Sequence, residues 1–299
     1  MKRARLMLIS SMVIFGTVGL FKRFIPVSSG ELALYRAILG ALLLGGVLLV
    51  TRQRIPLRTI RRQLPLLLLS GAAMGVNWIL LFEAYENTSI ALGTISYYFA
   101  PVIVMAACPL LFREKMTGRQ IICFLLSVLG MVLITCLGAP EEAAGERNDL
   151  LGILLGLGAA VFYATVMLLN KFIRGVEGLH RTLLQFLAAI VTLLPYVALT
   201  GGMSLSGMDA KGWLCLLVVG LVHTGLAYVM YFPSLKELPG QKAAILSYID
   251  PLVAVLISAF VLQEAPLTWG QLIGAVLLLG ATLWNELTPK EKEPTKIKA

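Results

Sequence analysis

The sequence predicts an all-α membrane protein whose ten transmembrane helices form two inverted five-helix repeats, and three observations carry that expectation. First, the 299 residues are 58% hydrophobic and only 14% charged, with a mean hydropathy of +0.86, whereas a soluble domain holds roughly a quarter charged residues. Second, the apolar residues fall in about ten blocks of ~18–23 residues, each long enough to cross a ~30 Å hydrocarbon core as a helix. Third, the second half of the chain repeats the first. A surplus of 25 Lys and Arg over 16 Asp and Glu is scattered through the connections between blocks, so no basic face meets a phosphate backbone and no nucleic-acid partner is expected. Cys108, Cys123, Cys136 and Cys215 lack CxxC spacing and read as small apolar packing residues rather than a disulfide or zinc framework.

Taken in order, span 1 (near 5–24) follows the basic start MKRAR, and the absence of a small-x-small cleavage site makes it a helix rather than a signal peptide. Span 2 (30–50) carries Arg36 and ends at the basic run from Arg52 to Arg62. Span 3 (64–83) holds Asn77 and Trp78, and span 4 (89–112) holds Tyr97, Tyr98, Phe99 and Pro101. Span 5 (119–137) follows Arg113, Lys115 and Arg119. The acidic, small-residue connection GAPEEAAGERND, Gly138 to Asp149, then divides the chain nearly in half. Span 6 (150–170) ends at Asn170 and Lys171, span 7 (180–200) holds Gln185, and span 8 (211–232) holds His223, Thr224, Tyr228 and Tyr231. Span 9 (241–262) contains Tyr248, Asp250 and Pro251, span 10 covers 269–287, and the tail from Pro289 to Ala299 alternates Lys and Glu with prolines as a solvated end. The expected units are therefore a first repeat at 1–137, an external linker at 138–149, a second repeat at 150–287 and a cytoplasmic tail at 288–299.

Loops rich in Lys and Arg stay on the cytoplasmic side. Ten spans place twenty of the 25 basic residues on the side of both termini and four (Lys22, Arg23, Arg147 and Lys211) on the other, with Arg36 inside a span. Both termini are thus expected in the cytoplasm and the linker outside, in a plasma membrane of the bacterial inner-membrane type.

The repeat shows when the chain slides on itself. At an offset of 149, Lys22 meets Lys171 and Arg36 meets Gln185; at 150, Phe82 meets Phe232, Tyr98 meets Tyr248, Pro101 meets Pro251 and Glu114 meets Glu264. One inserted residue then aligns Thr117 and Gln120 with Thr268 and Gln271. Five spans is an odd number, so the second copy lies upside down relative to the first, the arrangement in which secondary transporters place substrate near the midplane between halves.

This pattern, with Lys closing the first span (Lys22, Lys171), Arg inside the second (Arg36), Pro inside the fourth (Pro101, Pro251) and Glu-x-x-Thr-x-x-Gln before the fifth (Glu114, Thr117, Gln120), resembles the EamA repeat, two of which make the ten-span drug/metabolite transporters. The resemblance covers nearly the whole chain. It implies an inverted-repeat carrier with a central cavity lined by spans 3, 4, 8 and 9, working by alternating access on amino acids, other metabolites or amines. The chain departs from the pattern in having Gln185 opposite Arg36 and Asp250 before Pro251.

Several residues could carry the chemistry. Pro101 and Pro251 lack the amide hydrogen that would bond the carbonyl four residues back, so they are expected to kink their helices and free the carbonyls of Tyr97 and Ser247. Asp250 sits about nine residues into span 9, roughly 14 Å from its end at ~1.5 Å per residue, where a carboxylate must find a cation, a proton or water. It is either a ligand for a substrate ammonium, a proton carrier, or the structural partner of Arg36. Tyr97, Tyr98, Tyr248, Trp78 and Tyr228 gather at similar depth, and such rings suit an organic cation or an aromatic solute; Tyr231 and Phe99 lie nearby. Asn77, Thr224 and His223 add hydrogen-bonding groups, although a histidine here is more often an interhelical contact than a proton relay. Glu31, Glu83 and Glu86 lie near the outer edge. Small residues four apart in span 6 (Gly152, Gly156, Ala160) and span 10 (Gly270, Gly274) favour close helix contact, within the chain or in a homodimer.

The expected function is a secondary transporter of a small metabolite, amine-bearing or amino-acid-like and cationic or zwitterionic, in contact with lipid and with proton coupling as one option. No cofactor or metal is expected. The alternatives are an intramembrane enzyme, for which HExxH and GxSxG motifs are missing, and a structural or signalling membrane protein.

Overall fold

The computed structural model describes residues 2–22, 24–52, 57–88, 93, 96–113, 116–136, 148–176, 178–201, 203, 207–257 and 268–287. Most of the expected linker, the tail, Glu114 and Glu264 lie outside them. The described residues are helical with no strand: α1 (Lys2–Gly16), α2 (Val18–Lys22), α3 (Ser29–Val50), α4 (Leu57–Asn87), α5 (Ala100–Phe112), α6 (Gly118–Cys136), α7 (Asp149–Phe172), α8 (Gly178–Leu199), α9 (Ala210–Val218), a π-helix (Val219–Leu226), α10 (Ala227–Glu237), α11 (Gly240–Ser247), α12 (Ile249–Leu256) and α13 (Trp269–Leu287).

Among the described residues, six stretches are long and apolar enough to cross a membrane: Lys2–Lys22, Ser29–Val50, Leu57–Ala84, Leu150–Phe172, Gly178–Leu199 and Ala210–Glu237. Shorter apolar helices cover Ala100–Phe112, Gly118–Leu133 and Leu272–Asn285. The distribution of polarity is that of a protein dissolved in lipid. Leu49, Val50, Leu110, Val191, Leu199 and Val276 are exposed, while Ser70, Asn77, Asn170, Thr182, Gln185 and Thr224 are buried. In hydrocarbon the outer surface has no need of polar groups, and those inside must find one another.

Local signals set the helix ends. Ser28 caps α3 through a box in which its hydroxyl accepts from the Glu31 amide and the Glu31 carboxylate accepts from the Ser28 amide. Asn148 accepts from the Leu151 amide at the start of α7, and Asp209 from the Gly212 amide at the start of α9. The C-terminus of α7 is tied off by Arg181, which is fully buried and donates to the carbonyls of Val176, Asn170 and Ile173 at 2.9, 3.3 and 3.2 Å. A guanidinium suits that end because the last carbonyls of a helix lack partners and carry partial negative charge.

Three departures from the predicted spans matter. The third span is longer than expected, running through Pro65 as one 31-residue helix. The eighth is interrupted by the π-helix, where Thr224 donates back to the Val219 carbonyl five residues earlier at 2.9 Å. In the fourth and ninth the regular helix is interrupted just before the proline: Pro101 lies in the first turn of α5, and Pro251 is the third residue of α12, one right-handed residue, Tyr248, after α11 has ended at Ser247. Proline at a helix start gives up an amide that had no partner in any case, which is why both half-helices begin there.

Helix partnerships show a regular pattern. The helix pairs in contact include α4 with α7 and α1 with α10, α4 with α8 and α3 with the π-helix, α5 with α7 and α1 with α12, and also α3 with α8, α6 with α13 and α5 with α11. Glycines permit the closest approaches: a Cβ on Gly71 would lie 2.3 Å from the Gln185 carbonyl oxygen, on Gly130 2.6 Å from that of Gly274, and on Gly16 2.5 Å from that of Asp250. In α7, Gly152 backs onto Thr88 and Gly156 onto Ser96. The small-residue spacing of span 6 therefore serves contacts inside the chain. Cys108, Cys123 and Cys215 are buried and are not in disulfides.

Candidate functional site

The break between α11 and α12 brings Asp250 into the first turn of α12, where helix amides without intrahelical partners favour a carboxylate. The hydroxyl of Tyr98 donates a hydrogen bond to it. Asp250 keeps part of its surface uncovered, as do Tyr97, Tyr163 and Tyr228, whereas Tyr98, Trp78, Tyr231 and Tyr248 are buried. Rings hem this region in on several sides. Tyr97 stacks on Tyr163, with centroids 5.3 Å apart and planes 12° from parallel. Tyr228 meets Phe15 at 5.0 Å, Phe232 at 5.1 Å and Phe186 at 5.5 Å. The Tyr231 hydroxyl donates to that of Tyr163 at 3.0 Å, and the Tyr248 hydroxyl reaches the Tyr98 carbonyl at 3.4 Å. This last bond, with Tyr98 and Tyr248 rings 6.4 Å apart, joins the two broken segments beside their prolines.

Arg36 is the buried cation near these tyrosines, with Tyr228 and Tyr97 within its electrostatic reach. It is 8% exposed, its Nε donates to the Thr224 hydroxyl at 2.9 Å, and its guanidinium lies 4.6 Å from the centre of the Trp78 ring. Cation–π contact of this kind offsets some of the cost of burying a charge. The Trp78 indole donates to the Tyr228 hydroxyl. Among the described residues, the contacts of Arg36 are thus a hydroxyl and a ring, those of Asp250 a phenol, and the two charges do not neutralise each other directly. Tyr228 is within electrostatic reach of both.

The remaining candidates separate from this cluster. The Asn77 amide donates to the Ala159 carbonyl at 2.7 Å, so it ties α4 to α7. His223 lies 2.8 Å from the Thr17 hydroxyl through Nε2 and 3.3 Å from the Val218 carbonyl through Nδ1, and its ring meets Phe21 edge-on at 5.0 Å. Both do structural bridging between helices. Gln185, the counterpart of Arg36, joins Ser70 at 2.7 Å and Asn170 at 3.2 Å. Lys171 donates to the Leu238 carbonyl at 3.3 Å and sits 4.8 Å from the Phe112 ring centre, while Lys22 sits 5.8 Å from that of Phe82. Near the far end, Tyr196 donates to the Glu83 carboxylate.

Sequence reasoning missed Tyr163, which stacks on Tyr97, bonds Tyr231 and reaches Ser247. A signal was present: helical spacing puts position 163 on the face that buries Ala159, Ala160, Val166, Met167 and Asn170. An interhelical contact was the weightier sequence reading of His223, whereas the partner of Asn77 had no signal, because it depends on the rotation of two helices relative to each other.

Comparisons with known proteins agree on the class. The uncharacterized transporter YxxF of Bacillus subtilis (strain 168) is 28% identical over 250 residues, covering 84% of this chain and 79% of the relative. The uncharacterized transporter YwfM of the same organism is 25% identical over 288 residues, covering 93% and 92%. A crystal structure of a protein 17% identical superposes with a TM-score of 0.79, covering 95% of this chain and 97% of that one, which shows a shared fold. The sequence profile of the EamA-like transporter family matches twice, at residues 2–136 and 150–286. With two such domains, apolar helices that can span a bilayer and relatives named as transporters, this multi-pass membrane protein belongs to the EamA-like transporter family.

Proposed function

We propose that the chain is a secondary transporter, not an enzyme, that carries a small amine-bearing or amino-acid-like solute across the plasma membrane by alternating access. Its working architecture is ten spans in two inverted five-helix repeats, 1–137 and 150–287, with the linker at 138–149 outside and the termini and 288–299 tail cytoplasmic. The helix partnerships support this reading. When residues 2–22 are exchanged with α7, α3 with α8, α4 with the segment α9 to α10, α5 with α12 and α6 with α13, the contact of α4 with α7 becomes that of α1 with α10, and α5 with α7 becomes α1 with α12. A two-fold relation between halves leaves such a pattern unchanged.

The observation that carries the substrate reading is a partly uncovered carboxylate, Asp250, at a helix break, ringed by Tyr97, Tyr98, Tyr163 and Tyr228. A carboxylate inside a bilayer-spanning bundle marks a ligand or proton site because its burial is costly without one. Aromatic faces around it favour an ammonium over an inorganic anion. Trp78 and Tyr248 back these rings, and Asn77 and His223 hold the surrounding helices. Purified protein in proteoliposomes should show saturable uptake or counterflow of amine-bearing solutes. Saturable transport restricted to solutes lacking an amine would replace this substrate assignment.

A further inference from the structure

We propose that the first turns of α4 form a binding site for an anionic phospholipid, its arginines taking the phosphate and the leucines below them an acyl chain. The site lies on the outer surface of the bundle and does not depend on which solute is carried. Helix length is the first observation. At ~1.5 Å per residue the 31 residues of α4 extend ~46 Å, well beyond a ~30 Å hydrocarbon core. The apolar run from Leu64 to Phe82 fills most of that core. The segment LRTIRRQ, Leu57 to Gln63, therefore projects past it as ordered helix. Arg61 and Arg62 come at the edge of the hydrocarbon and Arg58 one turn further out, which is the depth of the lipid headgroups.

The second observation is the order of residues along one face. Spacing of i, i+3 and i+4 puts Arg58, Arg61 and Arg62 side by side, and all three are exposed. The same face continues into the bilayer with Leu68 and Leu69, 46% and 54% exposed. Charge outward and apolar surface inward is the order of a phospholipid. The opposite face is fixed to the bundle: Leu67 is buried with Ile173 and Val176, and Ile60 packs against them. Gln63 accepts from the Arg174 amide at 3.2 Å, and the connection turns beside Thr59 at Gly175, with φ of +71°. The arginines are thus carried on an anchored helix. They also lack a counter-charge. No Asp or Glu occurs from Thr51 to Phe82, and among the described residues none of the three forms an ion pair. Guanidinium groups match phosphate oxygens in paired contacts, and basic clusters at the end of a span attract anionic headgroups. A soluble phosphate would meet the arginines alone, whereas a lipid also covers Leu68 and Leu69.

The test is native mass spectrometry of the purified full-length protein titrated with dioleoyl phosphatidylglycerol and, in parallel, with dioleoyl phosphatidylcholine, which has the same chains but no net charge. Phosphatidylglycerol should bind at least roughly tenfold tighter, and Arg61→Gln/Arg62→Gln should remove most of that preference, at roughly fivefold for each arginine. Lys2→Gln/Arg3→Gln removes the same charge from exposed positions at the start of α1 and should leave the preference intact. Glycerol 3-phosphate, a headgroup without chains, should not displace the lipid at hundredfold excess. Should the double α4 variant fail to fold, as judged by gel filtration and an unfolding curve, the single substitutions Arg61→Gln and Arg62→Gln replace it, each with a roughly fivefold loss. Equal binding of the two lipids to wild type overturns the proposal, as does a preference untouched by the α4 substitutions. Equal loss from the α1 and α4 pairs reduces the effect to diffuse charge and overturns the site. Displacement by glycerol 3-phosphate overturns the lipid in favour of a soluble anion.

Discussion

Asp250→Asn keeps the shape of the side chain and removes its charge, so it separates a functional carboxylate from a packing one. Removing one member of a buried charged contact costs ~2 kcal/mol or more, equivalent to roughly 30-fold. Transport should fall by at least that factor while the protein stays folded, checked by counterflow in proteoliposomes together with an unfolding curve. Where the carboxylate carries a coupling proton instead, pH-gradient-driven accumulation collapses and counterflow of substrate persists, so the two assays run side by side distinguish the roles. Near-normal values in both would make Asp250 a structural residue. Arg181 gives the opposite profile. It satisfies three carbonyls around the end of α7 from a buried position, and Arg181→Met leaves them unpaired at ~1–3 kcal/mol for each buried group. The expected result is an unfolding temperature lower by several degrees, with substrate affinity unchanged in the fraction that folds. At this scale the sequence was informative about which residue types were out of place in lipid, and Asp250, Arg36 and the tyrosines stood out for that reason. It was silent on pairing. Hydropathy records how many polar groups enter the bilayer, while the partner each one finds depends on helix rotation, which is why Arg36 meets Thr224 and Trp78, and Asn77 meets Ala159.

Among elements, glycine positions distinguish contacts that tolerate no side chain from those that do. A Cβ at Gly71 would stand 2.3 Å from a backbone oxygen and 2.6 Å from the Ala188 Cβ, whereas one at Gly46 meets nothing within 4 Å. Gly71→Ala should therefore push α4 off α8 and lower the unfolding temperature, and Gly46→Ala should leave it unchanged or raise it, since alanine is favoured over glycine inside a helix by roughly 1 kcal/mol. Equal effects of the two substitutions would contradict the packing of α4 against α8. Helix positions were legible from composition, because blocks of apolar residues bounded by charge, such as Ser29–Val50 and Gly178–Leu199, leave little latitude. The π-helix was not. Its register shift comes from Thr224 bonding Val219 and receiving Arg36, a combination that local pattern does not encode and that π-helical segments often display near functional sites. The two prolines pointed to irregular helices, and the structure shows a short interruption just before each of them, so that both lie in the first turn of the helix that follows.

For the whole molecule, the repeat was visible in matched Lys, Phe, Tyr and Pro residues, and the family profile matches twice, at residues 2–136 and 150–286. The proposed topology rests on the distribution of Lys and Arg. Reporter fusions at Met1, Asn148 and Ala299 should place both termini in the cytoplasm and Asn148 outside, and an outward C-terminus or inward Asn148 would remove the inverted arrangement. The central claim is that one site between the halves opens to each side in turn. Tyr97 bears on it most directly, because it belongs to the aromatic cluster, stacks on Tyr163 from the second half and keeps part of its surface uncovered. The decisive measurement is labelling of Tyr97→Cys, in a background without native cysteines, by a membrane-impermeant thiol reagent applied to right-side-out and to inside-out vesicles. The account predicts labelling from both faces, each slowed by a transported solute. Labelling from one face alone, or from neither under any condition, would contradict it.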